Sequence, residues 1–309
     1  MSSLIRALHL HSGPWTHWRD YLELCKPKVV ALMLFTAWVG MLLASPEAMP
    51  WNALLFGTLG IGLVAGSAAA INHVVDRHVD GVMRRTQRRP LPAGHLDVRR
   101  CLTFAGLIGA LGMAILVLQV NMLTAVLTFL SLVGYAFVYT MFLKRATPQN
   151  IVIGGAAGAT PPLLGWTAVT GQVDAYALVL FLIIFTWTPP HFWALAIYRK
   201  EDYAKVGIPM LPVTHGDEFT RWHVLFYTIL LVLVTLLPYL MGENGVLYLV
   251  GALLLGGVFI HHAVRMLRSR DPRDAIKTFV FSIVYLMVLF AFLIIDRFLP
   301  VISERLAQI

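Results

Sequence analysis

The chain has 309 residues, of which 58% are hydrophobic and only 13% are charged, with a mean hydropathy of +0.75. A soluble domain carries about 25% charged residues, so this chain lacks the charge needed to coat a water-facing surface. Its formal net charge of +8 is dispersed over separate loops, which argues against nucleic-acid binding and for segments that lie along anionic lipid.

In chain order, the apolar residues fall into nine runs, each about as long as the roughly 20 residues that cross a bilayer. They are 28–44, 51–75, 99–118, 122–141, 151–168, 175–197, 222–240, 245–264 and 278–298. The expected fold is therefore an all-α, polytopic transmembrane bundle of about nine helices, forming one integral-membrane domain over 1–309. Residues 1–20 and 299–309 are its tails. The first 25 residues show no short apolar core with a small-residue cleavage site, so no cleavable signal peptide is expected there.

The connections alternate in charge. Those after the first, third, fifth and seventh runs (SPEAMP, QVN, VTGQVD, MGENG) hold no Lys or Arg. The opposite set holds all but two of the 24 basic residues, the exceptions being Arg297 and Arg305. The positive-inside rule then places the N-terminus and the even loops in the cytoplasm, and the C-terminus outside. Gly62/Gly66 and Gly154/Gly158, four apart within runs, are expected to let helix backbones pack closely. Cys25 and Cys101 form neither a disulfide framework nor a metal-type spacing.

The loop after the second run concentrates the chemistry. Asn72, Asp76 and Asp80 are spaced by four. On a helix they stay within a stripe of about 80° over a rise of ~12 Å. Three oxygen donors on one face suit Mg²⁺, which favours a few carboxylates plus substrate phosphate oxygens. Arg84, Arg85, Arg88 and Arg89 follow, and guanidinium groups grip phosphate bidentately. Acids for a metal followed by arginines for an anion describe a diphosphate site. The same residues also fit interfacial acids paired with topology-anchoring arginines. The penalty of roughly 2.5–3.5 kcal/mol for a charge deep in the membrane is smaller near its surface, so spacing alone leaves both readings open.

After the sixth run, Tyr198, Arg199, Lys200, Glu201, Asp202, Tyr203 and Lys205 gather acids, bases and tyrosines just outside the bilayer. This segment reads either as a second carboxylate cluster or as a solvated loop. Upstream stands Trp187-Thr188-Pro189-Pro190-His191-Phe192-Trp193, whose prolines remove helical hydrogen bonds inside a membrane segment. His191 there is either a packing residue or a ligand.

These stretches resemble the UbiA superfamily of intramembrane prenyltransferases, and within it the heme O synthase branch. The resemblance is carried by Lys26-Pro27-Lys28, the Asn72–Asp76–Asp80 pattern, and Asp80-x-x-Met83-x-Arg85-Thr86-x-x-Arg89-Pro90-Leu91. Thr147-Pro148-Gln149-Asn150 with its glycine-rich continuation, Pro190-His191-Phe192-Trp193, and Asp202-Tyr203 through Pro212 complete it. It spans about residues 20–298. His73 stands where the superfamily often has Asp, and Val206 replaces the second acid of a DxxxD motif. Both features point to the heme-directed branch and away from quinone-precursor acceptors.

The resemblance implies transfer of farnesyl from farnesyl diphosphate to a vinyl group of heme b, with addition of water, giving heme O. It implies Mg²⁺ on Asn72, Asp76 and Asp80. Arg85 and Arg89 would hold the diphosphate, with Arg84, Arg88, Lys144 or Arg145 in support. Asp202, Tyr203 and Lys205 would stand at its mouth, and Lys26, Asn150, Tyr198 and Lys200 would line the substrate. His191, then His73, are the candidates for heme contact or iron ligation. The implied setting is the bacterial cytoplasmic membrane with a cytoplasmic active site, and heme A synthase or a terminal-oxidase assembly as recipient. The competing readings are a UbiA-type aromatic prenyltransferase and a non-enzymatic heme-binding protein or transporter. The latter predicts inverted repeats and midplane charges, and neither pattern is found in the sequence.

Overall fold

A computed structural model describes residues 18–83 and 86–307, with side chains through Pro300. Arg84 and Arg85, two of the expected diphosphate contacts, lie outside the described residues. The described residues contain helices and no strand. In chain order the helices are α1 (Trp18–Leu24), α2 (Pro27–Leu43), α3 (Ala53–Val82), α4 (Val98–Val120), α5 (Met122–Ala146), α6 (Asn150–Ala159) and α7 (Pro161–Thr170). They continue with α8 (Ala175–Tyr198), α9 (Lys200–Lys205), α10 (Leu211–Thr214), α11 (Gly216–Leu240), α12 (Val246–Ser269) and α13 (Pro272–Ala307).

Seven helices are long and apolar enough to cross a membrane, and eight if α1 and α2, bent by 53° at their junction, cross as one. The sequence expectation was nine. The difference lies in the 151–168 run, which is two ten-residue helices meeting at Thr160. Pro161 and Pro162 explain the break: they lack the N–H that would continue α6, but cost nothing in the first turn of α7. Pro189 and Pro190, by contrast, sit inside an unbroken α8. Thr186 and Thr188 precede them, each returning its hydroxyl to a carbonyl of the preceding turn.

Helix α8 is the hub, packed against α6, α11 and α13. Its apolar residues occur all round, and most of its faces are buried, apart from a stripe that includes Leu178 and Phe192. Leu180, Ile183, Trp193 and Ala194 are wholly enclosed. Outer helices show the reverse: Leu107, Leu118, Phe129, Phe142 and Leu254 are exposed, the apolar coat expected of lipid-facing surfaces.

Close approach is concentrated where side chains are missing. A Cβ on Gly165 would lie 1.9 Å from the Ala37 carbonyl oxygen, and one on Gly40 would lie 2.1 Å from that of Pro162. These two glycines let α2 and α7 touch backbone to backbone. Of the pairs singled out in the sequence, Gly154 abuts the Tyr139 ring, while Gly62 and Gly66 have milder contacts. Gly158 faces open space.

Candidate active site

Asn72, Asp76 and Asp80 line one stripe of α3, and all three are buried. Their neighbours come from three separate segments. Lys26 Nζ donates to Asn72 Oδ1 at 2.6 Å. Asn72 Nδ2 donates to Asp76 Oδ2 at 2.9 Å and to Thr140 Oγ1 at 3.2 Å. Lys144 Nζ meets the same Asp76 Oδ2 at 2.6 Å, and Arg89 grips Asp80 Oδ2 at 2.6 Å. Spacing left open whether the acids pair with neighbouring arginines or face a ligand. The geometry shows that Asp80 pairs with an arginine, whereas Asp76 pairs with a lysine from a different helix.

Local structure explains how these groups converge. Lys26 occupies the bend between α1 and α2 with φ 49°, a left-handed conformation that non-glycine residues rarely adopt. Such strain collects at functional positions. It turns the ammonium towards Asn72 and over the Tyr135 ring, 5.9 Å from its centroid. The second half of α5, Gly134–Leu143, winds as a π-helix. Thr140 accordingly bonds back five residues, its hydroxyl donating to the Tyr135 carbonyl at 2.7 Å. Past α3, the Thr86 hydroxyl donates to the Asp80 carbonyl at 3.0 Å, folding the loop so that Arg89 returns to Asp80.

The hydrogen-bond accounting leaves specific gaps. Asp76 Oδ1 is buried and has no partner among the described residues, although Oδ2 of the same carboxylate is contacted by both Asn72 and Lys144. Both ring nitrogens of His73, which is 2% exposed, also lack a partner among the described residues. Asn150, wholly buried, donates to the Thr147 carbonyl at 2.8 Å, leaving Oδ1 unmatched. Buried polar atoms are normally satisfied, and each exception asks for a ligand or another reason. The described residues here include two carboxylates and three cationic side chains, a net positive balance that suits an anionic ligand.

The second motif joins the first through packing. One buried apolar cluster contains Met83, just past Asp80, Ile151, beside Asn150, and Tyr203, beside Asp202. Asp202 and Tyr203 are both buried, and Arg199 lies 3.7 Å from Asp202. Lys200 instead pairs with Asp217 at 2.9 Å. Arg88, Arg145, Tyr198 and Lys205 are exposed, away from the buried network, and Tyr198 carries Arg199 over its ring at 5.2 Å. His191 is held deeper in α8. Its Nδ1 lies 2.6 Å from Ser282 Oγ, and its ring stacks between Trp187 and Phe279, with centroids at 4.1 Å and 4.5 Å.

Tyr135, Thr140 and Ser282 were absent from the residues singled out by sequence. The available signal was weak: polar groups at 135, 139 and 140 in an apolar run, whose inward turn depends on the π-helical register.

The donors suit Mg²⁺. Among the described residues, no three His, Cys, Asp or Glu side chains form a metal cluster, so an all-protein cage is not built here. Two acids and an amide, with Asp76 Oδ1 buried and unmatched, fit an ion that completes its shell with phosphate oxygens and water.

The chain and its fold resemble several known proteins. The chain is 63% identical over 281 residues to the protoheme IX farnesyltransferase of Marinobacter nauticus, covering 91% of this chain and 93% of that one. Its fold matches a solved digeranylgeranylglyceryl phosphate synthase with a TM-score of 0.77, at 20% identity, over 91% of this chain and 98% of the other. It also matches a UbiA homolog from Archaeoglobus fulgidus bound to GPP and Mg²⁺, with a TM-score of 0.60 and 17% identity, over 89% of this chain and 99% of that one. Residues 33–293, most of the chain's length, match the UbiA prenyltransferase family, and the chain is a multi-pass membrane member of it.

Proposed function

We propose that this chain transfers the farnesyl group of farnesyl diphosphate to a vinyl group of heme b, with addition of water, giving heme O. The observation that carries this reading is the buried, half-unmatched Asp76 carboxylate among three cations. It occurs in a chain more than 60% identical to proteins bearing the name protoheme IX farnesyltransferase.

Asn72, Asp76 and Asp80 would hold Mg²⁺, which when bound neutralises charge building on the leaving diphosphate. The chain's own residues do the rest. Lys26, Lys144 and Arg89 are placed before any reaction on the side chains that would receive the ion. When the ion takes those oxygens, the three cations are released towards the diphosphate, where they face the negative charge that grows as the farnesyl C–O bond breaks. Arg84 and Arg85 follow Asp80 closely in sequence and would add further donors. The apolar cluster of Met83, Ile151 and Tyr203 excludes water from the allylic cation. Farnesyl C1 then bonds to the vinyl terminal carbon, and water adds at the adjacent carbon with loss of a proton. His191, and behind it His73, are the proposed heme contacts. Asp202 and Tyr203 close the mouth, and heme A synthase or a terminal oxidase is the class of recipient.

The topology follows the charge pattern. The mouth and the N-terminus face the cytoplasm of a bacterial inner membrane, with the broken α6–α7 pair counted as a crossing to give nine. Labelling of cysteines introduced at Ser45 and Gln87 tests this, since the two should react from opposite sides.

The activity is tested by incubating purified protein with farnesyl diphosphate, Mg²⁺ and either heme b or 4-hydroxybenzoate. A product with the mass of heme b plus farnesyl plus water supports the proposal. Prenylation of the aromatic acid alone would replace it with the quinone-precursor reading.

A further inference from the structure

Among the described residues of α13, Ser282 holds α8 at two points. Its backbone carbonyl accepts the Trp187 indole N–H at 2.8 Å, and its hydroxyl meets His191 Nδ1 at 2.6 Å. A hydroxyl has a single proton, and Ser282 donates it to the Phe279 carbonyl, also at 2.6 Å. The contact with His191 therefore requires the proton to sit on Nδ1, with Ser282 Oγ accepting it. This fixes the tautomer and leaves the lone pair on Nε2. That nitrogen hydrogen-bonds to none of the described residues, although the side chain is only 8% exposed. Trp187 and Phe279 stack on the two faces of the ring, with interplanar angles of 19° and 27°, so it can neither flip nor tilt freely.

A histidine whose one nitrogen is tied to a neighbouring acceptor while the other is free is the arrangement found in metal-ligating histidines. Nε2 is not among the fully buried polar atoms that lack a partner, so the fixed ring presents its free lone pair where a ligand can reach it. We propose that Ser282 is a positioning residue for the heme substrate, orienting His191 so that Nε2 ligates the heme iron. This rests on the reading of His191 as a heme contact. Iron ligation anchors the porphyrin while its vinyl edge reacts, so the alignment of Nε2 sets where that edge lies.

The test is titration of the full-length protein in detergent with ferric heme b, followed by visible absorption and electron paramagnetic resonance. Wild type should give the signature of an imidazole-ligated iron. His191→Ala should lose it and regain it when imidazole is added. Ser282→Ala should weaken heme binding about 10–100-fold, the usual cost of losing such a partner, and broaden or shift the signature, while Ser282→Thr restores both. Wild-type affinity and spectrum in Ser282→Ala would overturn the proposal, as would an unchanged spectrum in His191→Ala. If His191→Ala kept the wild-type spectrum and still formed heme O, only the ligation would fall. If wild type neither bound heme b nor converted it, the functional reading itself would fall.

Discussion

Two buried polar clusters lie towards opposite ends of α8, and their difference separates function from architecture. At one end, Asp296 is 8% exposed inside α13. Its Oδ1 accepts the Tyr248 amide at 3.0 Å, and its Oδ2 accepts the Gly245 amide and Asn244 Nδ2. Asn244 is in turn tied to Tyr176 and the Leu293 carbonyl. Asp296 therefore caps the first turn of α12, where unpaired amides and the helix dipole favour a negative charge. At the other end, Asp76 is equally buried but leaves Oδ1 empty-handed, and three cations surround two acids. An acid inside a membrane helix is by default a functional suspect, yet Asp296 is fully used by its own fold. An unmatched carboxylate oxygen, and not burial of the charge, distinguishes Asp76 from Asp296.

The comparison breaks if the two acids respond alike. The largest expected effect is at Asp76→Asn, which should reduce heme O formation by roughly 10²–10³-fold, the scale of losing one preorganised charge-stabilising contact. Its melting midpoint should stay near wild type, read from a thermal scan alongside the chromatographic assay. Asp296→Ala should do the opposite. It strands the α12 amides and costs on the order of 3 kcal/mol of stability, visible as a lowered midpoint with turnover per folded molecule retained. Lys144→Met sharpens the picture by removing a cation while keeping its length. A rise of about tenfold in KM for farnesyl diphosphate is expected, the size of one charge-assisted hydrogen bond. The smallest effects should come from Arg145→Ala and Lys205→Ala. Both side chains are exposed, and surface changes usually fall within about 0.5 kcal/mol, so kcat/KM should move less than about threefold.

Much of this arrangement was legible in the sequence because it rests on period and charge. The 3.6-residue repeat places Asn72, Asp76 and Asp80 on one stripe, and the structure keeps them there. The nine apolar runs are all helical, although one is divided. What escaped depends on departures from regular geometry. The π-helical turn of α5 shifts the register by which Tyr135 and Thr140 turn inwards, and an i+4 reading cannot anticipate it. The left-handed Lys26 is likewise invisible in composition. Two Pro-Pro pairs look alike on paper, yet Pro161-Pro162 divides a segment and Pro189-Pro190 sits inside an unbroken helix. Lys144 and Arg145 are adjacent and chemically similar; helical phase alone sends one to Asp76 and the other outward.

The most direct test of the Asp76 site is calorimetric titration with a non-hydrolysable farnesyl thiodiphosphate analogue, with and without Mg²⁺, on wild type and Asp76→Asn. Tight binding that needs both Mg²⁺ and the Asp76 carboxylate is the predicted result. Equal affinity without the metal, or in the variant, would contradict a metal-bridged diphosphate at Asp76 and return the acids of α3 to a purely structural role.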